Sequence, residues 1–577
     1  MIESNSSHRG SEEGRPGPFL RYLLAAMIAV VLLFKLHLVF LQNVNWDEFL
    51  YLSYLYRPSF GLGAQPLMSF HMRLFSWLPL VGGGEIAQIT AARLCLWVLS
   101  VTSAVLVYRI ARRFFGRASS LYATLCFLCL TQLLDHGVSF RRDPLCSFLF
   151  VLAAWLLLRD EGRRRSAALA GVAMAVSVLL TPKVAIHLVA LGALFLALLA
   201  GRGFARREVG RALAFGTSFP VAFAVLFLAH RSSLPAAAVA SPSYLGGVAG
   251  DVLGVGHLLR GLTSLWISAF TNPLIWMSLL AGALLLLGEL WRPRAPGQRQ
   301  RAALVLALAL PILSILAYRN TYPYFFVFIL APGIVLCGAF FERLVGIVRR
   351  RSPRLSGVLT AVLSVAVFSN AAVHYVRNTY DQKISQREHL QLIHLLFPEP
   401  VPYLDRCSMV SSYPKVGFFM SSWGMTRYQR AGEPVFARAI REEEPRFVLG
   451  NVASLVLGMA NSSFPEIYRL LPEDAEALRS NYVHHWGALY VAGKTFPQVP
   501  SEPRSFEMLI AGTYTVESAG PVLIDGVARL PGEALPLTKG RHTIASAGQP
   551  QQLLLRWGDR LPRPAAAPTL QALFKDF

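Results

Sequence analysis

Apolar runs separated by short polar loops occupy most of the chain up to about residue 377. Runs near 19–41, 88–108, 118–134, 144–158, 166–181, 183–200, 212–230, 271–290, 302–318, 322–341 and 355–375 predict about eleven membrane-crossing helices. About 20 apolar residues are needed to cover the hydrocarbon core, which sets that reading. The fifth and sixth runs are short and abut at Thr181-Pro182, so they form a hairpin or a re-entrant pair. The first run, Phe19–Leu41, is too long for a signal-peptide core and lacks a small-residue cleavage site after it. It reads as a retained anchor. Residues 1–18 are polar and rich in Gly, Ser and Glu, which predicts a disordered cytoplasmic tail ahead of a transmembrane domain over 19–377.

Beyond Tyr380 the pattern changes. Between 378 and 505 a helix-like stretch (REHLQLIHLLF) accompanies strand-like ones (RFVLGNV, GALYVAG), predicting an α/β domain. From 506 to 577 short strands such as MLIAGTYTV and QQLLLRW alternate with Gly or Pro turns at 521, 526, 532 and 540. That spacing predicts a small β-sandwich.

The chain carries 15% charged and 54% hydrophobic residues, far from the quarter charged that is usual for soluble proteins. Its formal charge of +22 could suggest nucleic acid, but the arginines crowd into short loops. They follow the second run (Arg109, Arg112, Arg113, Arg117), the fourth (Arg159, Arg163, Arg164, Arg165) and the sixth (Arg202, Arg206, Arg207, Arg211). The eighth (Arg292, Arg294, Arg299, Arg301) and tenth (Arg343, Arg349, Arg350, Arg351, Arg354) repeat the pattern. Basic loops mark the cytoplasmic side, so this is a topology signal and no nucleic-acid partner is expected. The odd-numbered exits then face outward, together with everything after about 378. They hold Asp47-Glu48, Arg141-Arg142-Asp143, Thr181-Pro182-Lys183, the 231–265 loop and Tyr318–Tyr322.

Those outward turns carry the candidate chemistry. If the first helix continues to Asp47 and Glu48, both acids sit at its C-terminus, where the dipole disfavours them by about 0.3–1 kcal/mol each. They begin a loop of aromatic segments (YLSYLYRPSF, SFHMRLFSWL) expected to lie as interfacial helices at headgroup level. Asp143 before Pro144 is a natural N-cap with Pro at the first helical position. Arg141 and Arg142 break the charge bias of the outward loops, and guanidinium forks suit phosphate. Lys183 in a first turn opposes the helix dipole, while a phosphate there would gain from both lysine and free N–H groups. Arg319, with Tyr322 and Tyr324 nearby, is a further phosphate or sugar contact. Lys35, inside the first run, is expected to snorkel outward, and His71, His136 and His187 to be packed or hydrogen-bonded. Five of the six cysteines, including Cys126 and Cys129, lie in apolar runs and read as packing residues.

An acid pair facing several cations at a lipid interface suits attack by a hydroxyl on a lipid phosphate ester. The cations offset the charge that grows on the departing phosphate, and Asp47 takes the hydroxyl proton. A single displacement inverts the anomeric carbon.

At these positions the chain resembles the polyprenyl-phosphate-sugar glycosyltransferases of the GT-C fold, in particular the protein O-mannosyltransferase and lipid A aminoarabinose transferase branch. The matching elements are Trp46-Asp47-Glu48-Phe49 after the first helix, Asp143-Pro144 in SFRRDPLCSFLF, TPKVAIHLVA with Lys183, and RNTYPYFFVFILAP. Gln65-Pro66-Leu67 matches a Pro-Pro-Leu element in part. The resemblance covers residues 19 to about 345. It implies a GT-C-like bundle in the bacterial inner membrane with its active site and C-terminal region periplasmic. Asp47 is implied as base, with Glu48 beside it. Arg141, Arg142, Asp143, Lys183, Arg319 and Tyr322 would hold a polyprenyl-phosphate sugar, and the acceptor would be a glycan, glycolipid or protein. Some relatives bind a divalent metal near the first acids; this sequence offers no clear ligand set for one.

Two other readings compete. A lipid-linked oligosaccharide ligase or oligosaccharyltransferase-like enzyme would use a pyrophosphate donor, but a Trp-Trp-Asp run is absent. A transporter would place ionisable residues at the midplane on interrupted helices of two repeats; here they sit at helix ends on one side.

Overall fold

A computed structural model describes residues 18–57, 66–159, 163–201, 205–234, 261–293 and 295–574. Residues 1–17 of the expected tail, Gln65 and most of the 231–265 loop lie outside them. The helices in the first part are α1 (Pro18–Leu41), α2 (Trp46–Tyr56), α3 (His71–Leu74), α4 (Gly84–Ala111), α5 (Arg117–Cys129), α6 (Thr131–His136) and α7 (Arg142–Arg159). They continue with α8 (Arg164–Leu180), α9 (Ala185–Gly201), α10 (Arg206–Arg231), α11 (Leu262–Thr271), α12 (Pro273–Trp291) and α13 (Gln298–Ala309). The bundle closes with α14 (Phe325–Ile329), α15 (Leu336–Arg351) and α16 (Pro353–Arg377).

Seven described segments are long and apolar enough to cross a membrane: α1, α4, Pro182–Gly201, α10, α12, Gln298–Leu316 and α16. At 24 residues, α1 is about 36 Å long, enough for the hydrocarbon core. The other expected spans are shorter or broken: α5 and α6 part at Leu130, and a turn at Gly333–Val335 separates α14 from α15. Apolar side chains point outward, among them Val225 at 62% and Leu280 at 64% exposure. Surface of this kind faces lipid rather than water. Close crossings depend on small residues: a Cβ on Gly171 of α8 would collide with Ser218 on α10. The buried cysteines Cys126 and Cys129 pack within α5.

Two expectations about this part are corrected. Lys35 does not snorkel; it is 1% exposed and donates to Ser100 Oγ at 2.7 Å, facing a small cavity of about 20 Å³ that Ser103 and Ser147 also line. Nor does α2 lie among headgroups. Trp46, Phe49, Tyr51 and Tyr54 are buried inside the protein, because the C-terminal domain covers the helix where bulk lipid was expected.

That domain contains α17 (Ile384–Leu396), α18 (Ser422–Ala431), α19 (Val435–Glu442) and α20 (Pro472–Asn481). Its strands are β1 (Tyr403–Leu404), β2 (Phe447–Leu449), β3 (Tyr482–Trp486), β4 (Leu489–Val499), β5 (Arg504–Met508) and β6 (Gly512–Ser518). They continue with β7 (Val522–Ile524), β8 (Val527–Arg529), β9 (Ala534–Leu537), β10 (Gly540–Ser546) and β11 (Gln551–Trp557). One sheet has the order β1-β2-β4-β11-β6-β9, with β3 also on β4; the other is β5-β10-β7-β8. Apolar side chains from both, including Val499, Met508, Tyr514, Val522 and Leu553, form the core between them. The first sheet runs uninterrupted across residue 505, since β4 pairs β2 and β3 through its first residues and β11 through its later ones. The stretch MLIAGTYTV breaks between Met508 and Gly512, dividing β5 from β6. After β11 the chain returns along α17: Trp486 Nε1 donates to the Ala566 carbonyl at 2.9 Å and Thr569 Oγ1 to Glu388 at 2.7 Å.

Candidate active site

α1 stops at Leu41, and after four intervening residues a new helix begins at Trp46. Asn45 is extended (φ −73°, ψ 151°) and caps it: its Oδ1 accepts from the Asp47 N–H at 3.0 Å. The Asn45 N–H donates to Glu48 Oε2 at 2.9 Å, completing a reciprocal capping box. Asp47 and Glu48 therefore lie in a first turn, where the dipole favours carboxylates, and not at the C-terminus of α1 as a continuous helix would require.

The two acids have different surroundings. Glu48 has no exposed side-chain surface and forms an ion pair with Arg93 of α4. Arg93 Nε donates to Glu48 Oε1 at 2.8 Å, and the Phe140 N–H adds a contact of 2.6 Å. Burial opposes ionisation, but Arg93 and the N–H groups of Asn45 and Phe140 outweigh it and hold the carboxyl below its usual range. Arg93 also donates to the carbonyls of Gln42 (3.0 Å) and Asn43 (2.8 Å), so one guanidinium fixes the whole turn before α2. Asp47 keeps 15% of its side chain exposed and pairs with Arg141.

From Asp47 a chain of alternating charge runs through the site. Arg141 Nε lies 3.6 Å from Asp143 Oδ2, and Asp143 Oδ1 pairs with Lys183. Here α7 opens at Arg142, one residue before Asp143, so Asp143 ion-pairs within the first turn instead of capping it. Lys183 lies in a single turn at Pro182–Val184 ahead of α9, after an extended Thr181. Tyr324 closes the cluster from the loop before α14: the Arg141 guanidinium stacks 3.6 Å from its ring centroid. Lys183 Nζ stands 4.7 Å from the Phe328 ring. Arg142 points elsewhere, donating to Tyr51 Oη (3.0 Å) and the Met68 carbonyl (3.0 Å), and so ties α2 to the loop before α3.

Arg319 and Tyr322 stand apart from this chain of ions. Arg319 stacks 3.8 Å above Trp423 of α18, and Tyr322 Oη is 3.5 Å from Ser422 Oγ. His187 Nε2 donates to the Phe328 carbonyl at 2.9 Å, between the rings of Phe150 and Phe328; His71 packs edge-on to Tyr51. Among the described residues no three His, Cys, Asp or Glu side chains gather as a metal-holding set. The carboxylates of Asp47, Glu48 and Asp143 already face Arg141, Arg93 and Lys183, so the donor set does not fit a divalent cation.

The C-terminal domain roofs the site. Arg406 lies 3.9 Å over the Trp46 ring, Ser411 Oγ donates to the Phe49 carbonyl at 3.0 Å, and Gln386 accepts from the Val44 N–H and donates to its carbonyl. Glu85, at the start of α4, accepts from Ser412 Oγ at 2.7 Å and meets His394 Nε2 at 3.0 Å. Sequence reasoning missed Arg93, although a lone arginine in the apolar run ITAARLCLW was a usable signal. It also gave too little weight to Tyr324, because interfacial tyrosines are common. Arg406 and Gln386 carried no local signal.

Residues 66–230 match the family model for dolichyl-phosphate-mannose-protein mannosyltransferase. No curated protein sequence matches the chain. Among solved structures, ArnT from Cupriavidus metallidurans bound to undecaprenyl phosphate is similar with a TM-score of 0.52 at 15% identity, over 74% of this chain and 92% of that one. The archaeal oligosaccharyltransferase AglB from Archaeoglobus fulgidus, in complex with an inhibitory peptide and a dolichol-phosphate, gives 0.53 at 10% identity over 96% and 98%. The apo form of an Archaeoglobus fulgidus oligosaccharyltransferase gives 0.51 at 11% identity over 90% and 76%. At such identities the likeness is one of fold. The chain is an integral membrane protein of the GT-C fold, as the elements around Asp47, Asp143 and Lys183 had implied.

Proposed function

We propose that the protein is an inverting glycosyltransferase that moves a sugar from a polyprenyl monophosphate to a hydroxyl acceptor on the outer face of the membrane. The observation that carries this reading is the series Asp47–Arg141–Asp143–Lys183, assembled from three separate turns beneath the C-terminal domain. Asp47, the more exposed of the adjacent acids, takes the proton from the acceptor hydroxyl. The acceptor oxygen bonds to the anomeric carbon as the bond from that carbon to the phosphate oxygen breaks. The electron pair leaves with the polyprenyl phosphate, whose charge Arg141 and Lys183 offset. Asp143 spaces those two cations, while Glu48 and Arg142 hold the turns that carry the reacting groups. Arg319 and Tyr322, beside α18, contact the sugar or acceptor end.

The mannosyltransferase family model and the undecaprenyl phosphate bound to ArnT support a lipid-linked monophosphate donor. The acceptor is a glycan, glycolipid or protein. The arginine-rich loops support an orientation in a bacterial inner membrane with the site periplasmic. A second reading is an oligosaccharyltransferase using a pyrophosphate-linked glycan; the likeness to the oligosaccharyltransferase AglB over nearly the full length supports the enzyme class, and the dolichol-phosphate in that structure does not bear on a pyrophosphate donor. Membranes given labelled polyprenyl-phosphate sugar or a pyrophosphate-linked glycan separate the two. The first reading expects transfer from the monophosphate and a loss of at least about a hundredfold in Asp47→Asn, of the order seen when a catalytic base is removed. Equal transfer by wild type and Asp47→Asn sinks the role of Asp47.

A further inference from the structure

We propose that residues Thr569–Phe574 form a strap that positions Asp47 for proton transfer, an inference that rests on Asp47 being the base. The Phe574 ring meets Trp46 edge-on at 6.0 Å and Phe49 at 6.1 Å, the two aromatic residues on either side of the Asp47-Glu48 pair. All three rings are buried. One residue earlier, the Leu573 carbonyl accepts from Asn43 Nδ2 at 3.1 Å and from Gln386 Nε2 at 2.6 Å. Asn43 and Leu573 are 530 positions apart, so nothing local joins them. Upstream, Gln571 Nε2 donates to the Asp381 carbonyl at 3.2 Å, and Thr569 donates to Glu388 from both N and Oγ1. The strap is thus laid along α17 and delivered to the start of α2.

The turn Gln42–Asn45 has no regular backbone pattern of its own. Arg93 fixes the Gln42 and Asn43 carbonyls from the membrane bundle. Gln386 and the strap hold Val44 and the Asn43 side chain from the C-terminal domain. Asp47 is placed where these two clamps meet. Arg141 meets this turn through Asp47 and Asn45, but it is carried by a separate turn, where Asp143 and the Tyr324 ring also hold it, and Lys183 pairs with Asp143. Loosening the strap therefore alters how the base meets the acceptor hydroxyl, while Asp143 and the Tyr324 ring keep Arg141 and Lys183 in place for the donor phosphate. A displacement of about 1 Å at a reacting group costs up to about a hundredfold in rate.

The test uses full-length protein in membranes and follows release of free polyprenyl phosphate from a labelled polyprenyl-phosphate sugar. Phe574→Ala is expected to lower kcat about ten- to a hundredfold, with the donor KM within about twofold, and Phe574→Leu to recover most of the loss. In an Asp47→Asn background, Phe574→Ala is expected to cost less than about twofold, because the group it positions is already absent. Equal losses in both backgrounds, a raised donor KM, or an unchanged kcat overturns the strap. If Asp47→Asn alone turns over at the wild-type rate, the base assignment falls and takes the strap with it, a result visible before Phe574 is altered. Should Phe574→Ala fail to fold, Thr569→Val with Glu388→Gln frees the strap without touching its buried end, and must lower kcat in the same direction.

Discussion

Replacing Arg93 with methionine tests whether Glu48 anchors the turn that presents Asp47. The substitution removes the guanidinium from a carboxylate with no exposed surface and leaves it with the N–H groups of Asn45 and Phe140. Breaking a buried pair from one side costs about 3–5 kcal/mol, because a charge stays behind without its counter-ion. Arg93 also donates to the carbonyls of Gln42 and Asn43, each bond from a charged donor being worth about 1.5–3 kcal/mol. In the double variant Arg93→Met with Glu48→Gln, neither of these two charges is buried, so only the hydrogen-bond losses, which both variants share, remain. Chemical unfolding of the detergent-solubilised protein at neutral pH reads both. The single variant is expected to be the less stable, by about 2 kcal/mol or more. A single variant within about 1 kcal/mol of wild type, or a double variant at least as unstable, refutes the anchoring role.

Four further outcomes follow from the geometry. Arg141→Lys keeps the charge but loses the fork and the flat stack on Tyr324, so kcat/KM for the donor is expected to fall about tenfold or more in the labelled-donor assay. Asn45→Ala removes the cap of α2 and is expected to cost about 1 kcal/mol on unfolding, with kcat reduced more than donor KM. His394 is held above its usual range by its hydrogen bond to Glu85, against burial. Its contribution is therefore full below about pH 6.5 and is lost as the pH rises through the raised folded-state value. His394→Gln is expected to flatten the drop in unfolding midpoint between pH 6 and pH 8.5, to be measured by a thermal scan. Val225→Arg puts a charge on the lipid-facing side of α10 and is expected to hinder insertion, at about 2.5–3.5 kcal/mol at a span centre, read as lost protein in the membrane fraction.

Much of the bundle was legible because lipid imposes one strong rule, a run of about 20 apolar residues per crossing. Each expected span falls on a described helix or a broken pair of helices. The breaks at Leu130 and at Gly333–Val335 escaped notice because apolar composition alone does not mark where hydrogen bonding is interrupted. In the C-terminal domain, QQLLLRW became β11 and the turns at Gly526, Gly532 and Gly540 have positive φ, as short strands punctuated by glycine suggested. The shared sheet across residue 505 depends on strands far apart in the chain, β4 with β2 and β11, and no window of sequence carries that pairing.

The site was legible as a set of turns, and illegible as a set of roles. Loop-by-loop charge put Asp47, Arg141, Asp143 and Lys183 on one side, and the structure brings those four together. What composition cannot separate is Asp47 from Glu48, two neighbouring acids of nearly equal intrinsic acidity. The helix start separates them. With Asn45 as cap, Asp47 and Glu48 occupy the second and third helical positions, about 100° apart around the axis. The third position reaches back to the cap N–H and inward to Arg93, so Glu48 becomes part of the frame. The second faces Arg141 and keeps 15% of its side chain exposed. The spacing Asn45-x-x-Glu48 is a capping-box signature. Read as such, it would have ended the first helix before Asp47, reversed the sign of the dipole argument and assigned Glu48 to the frame from the sequence alone.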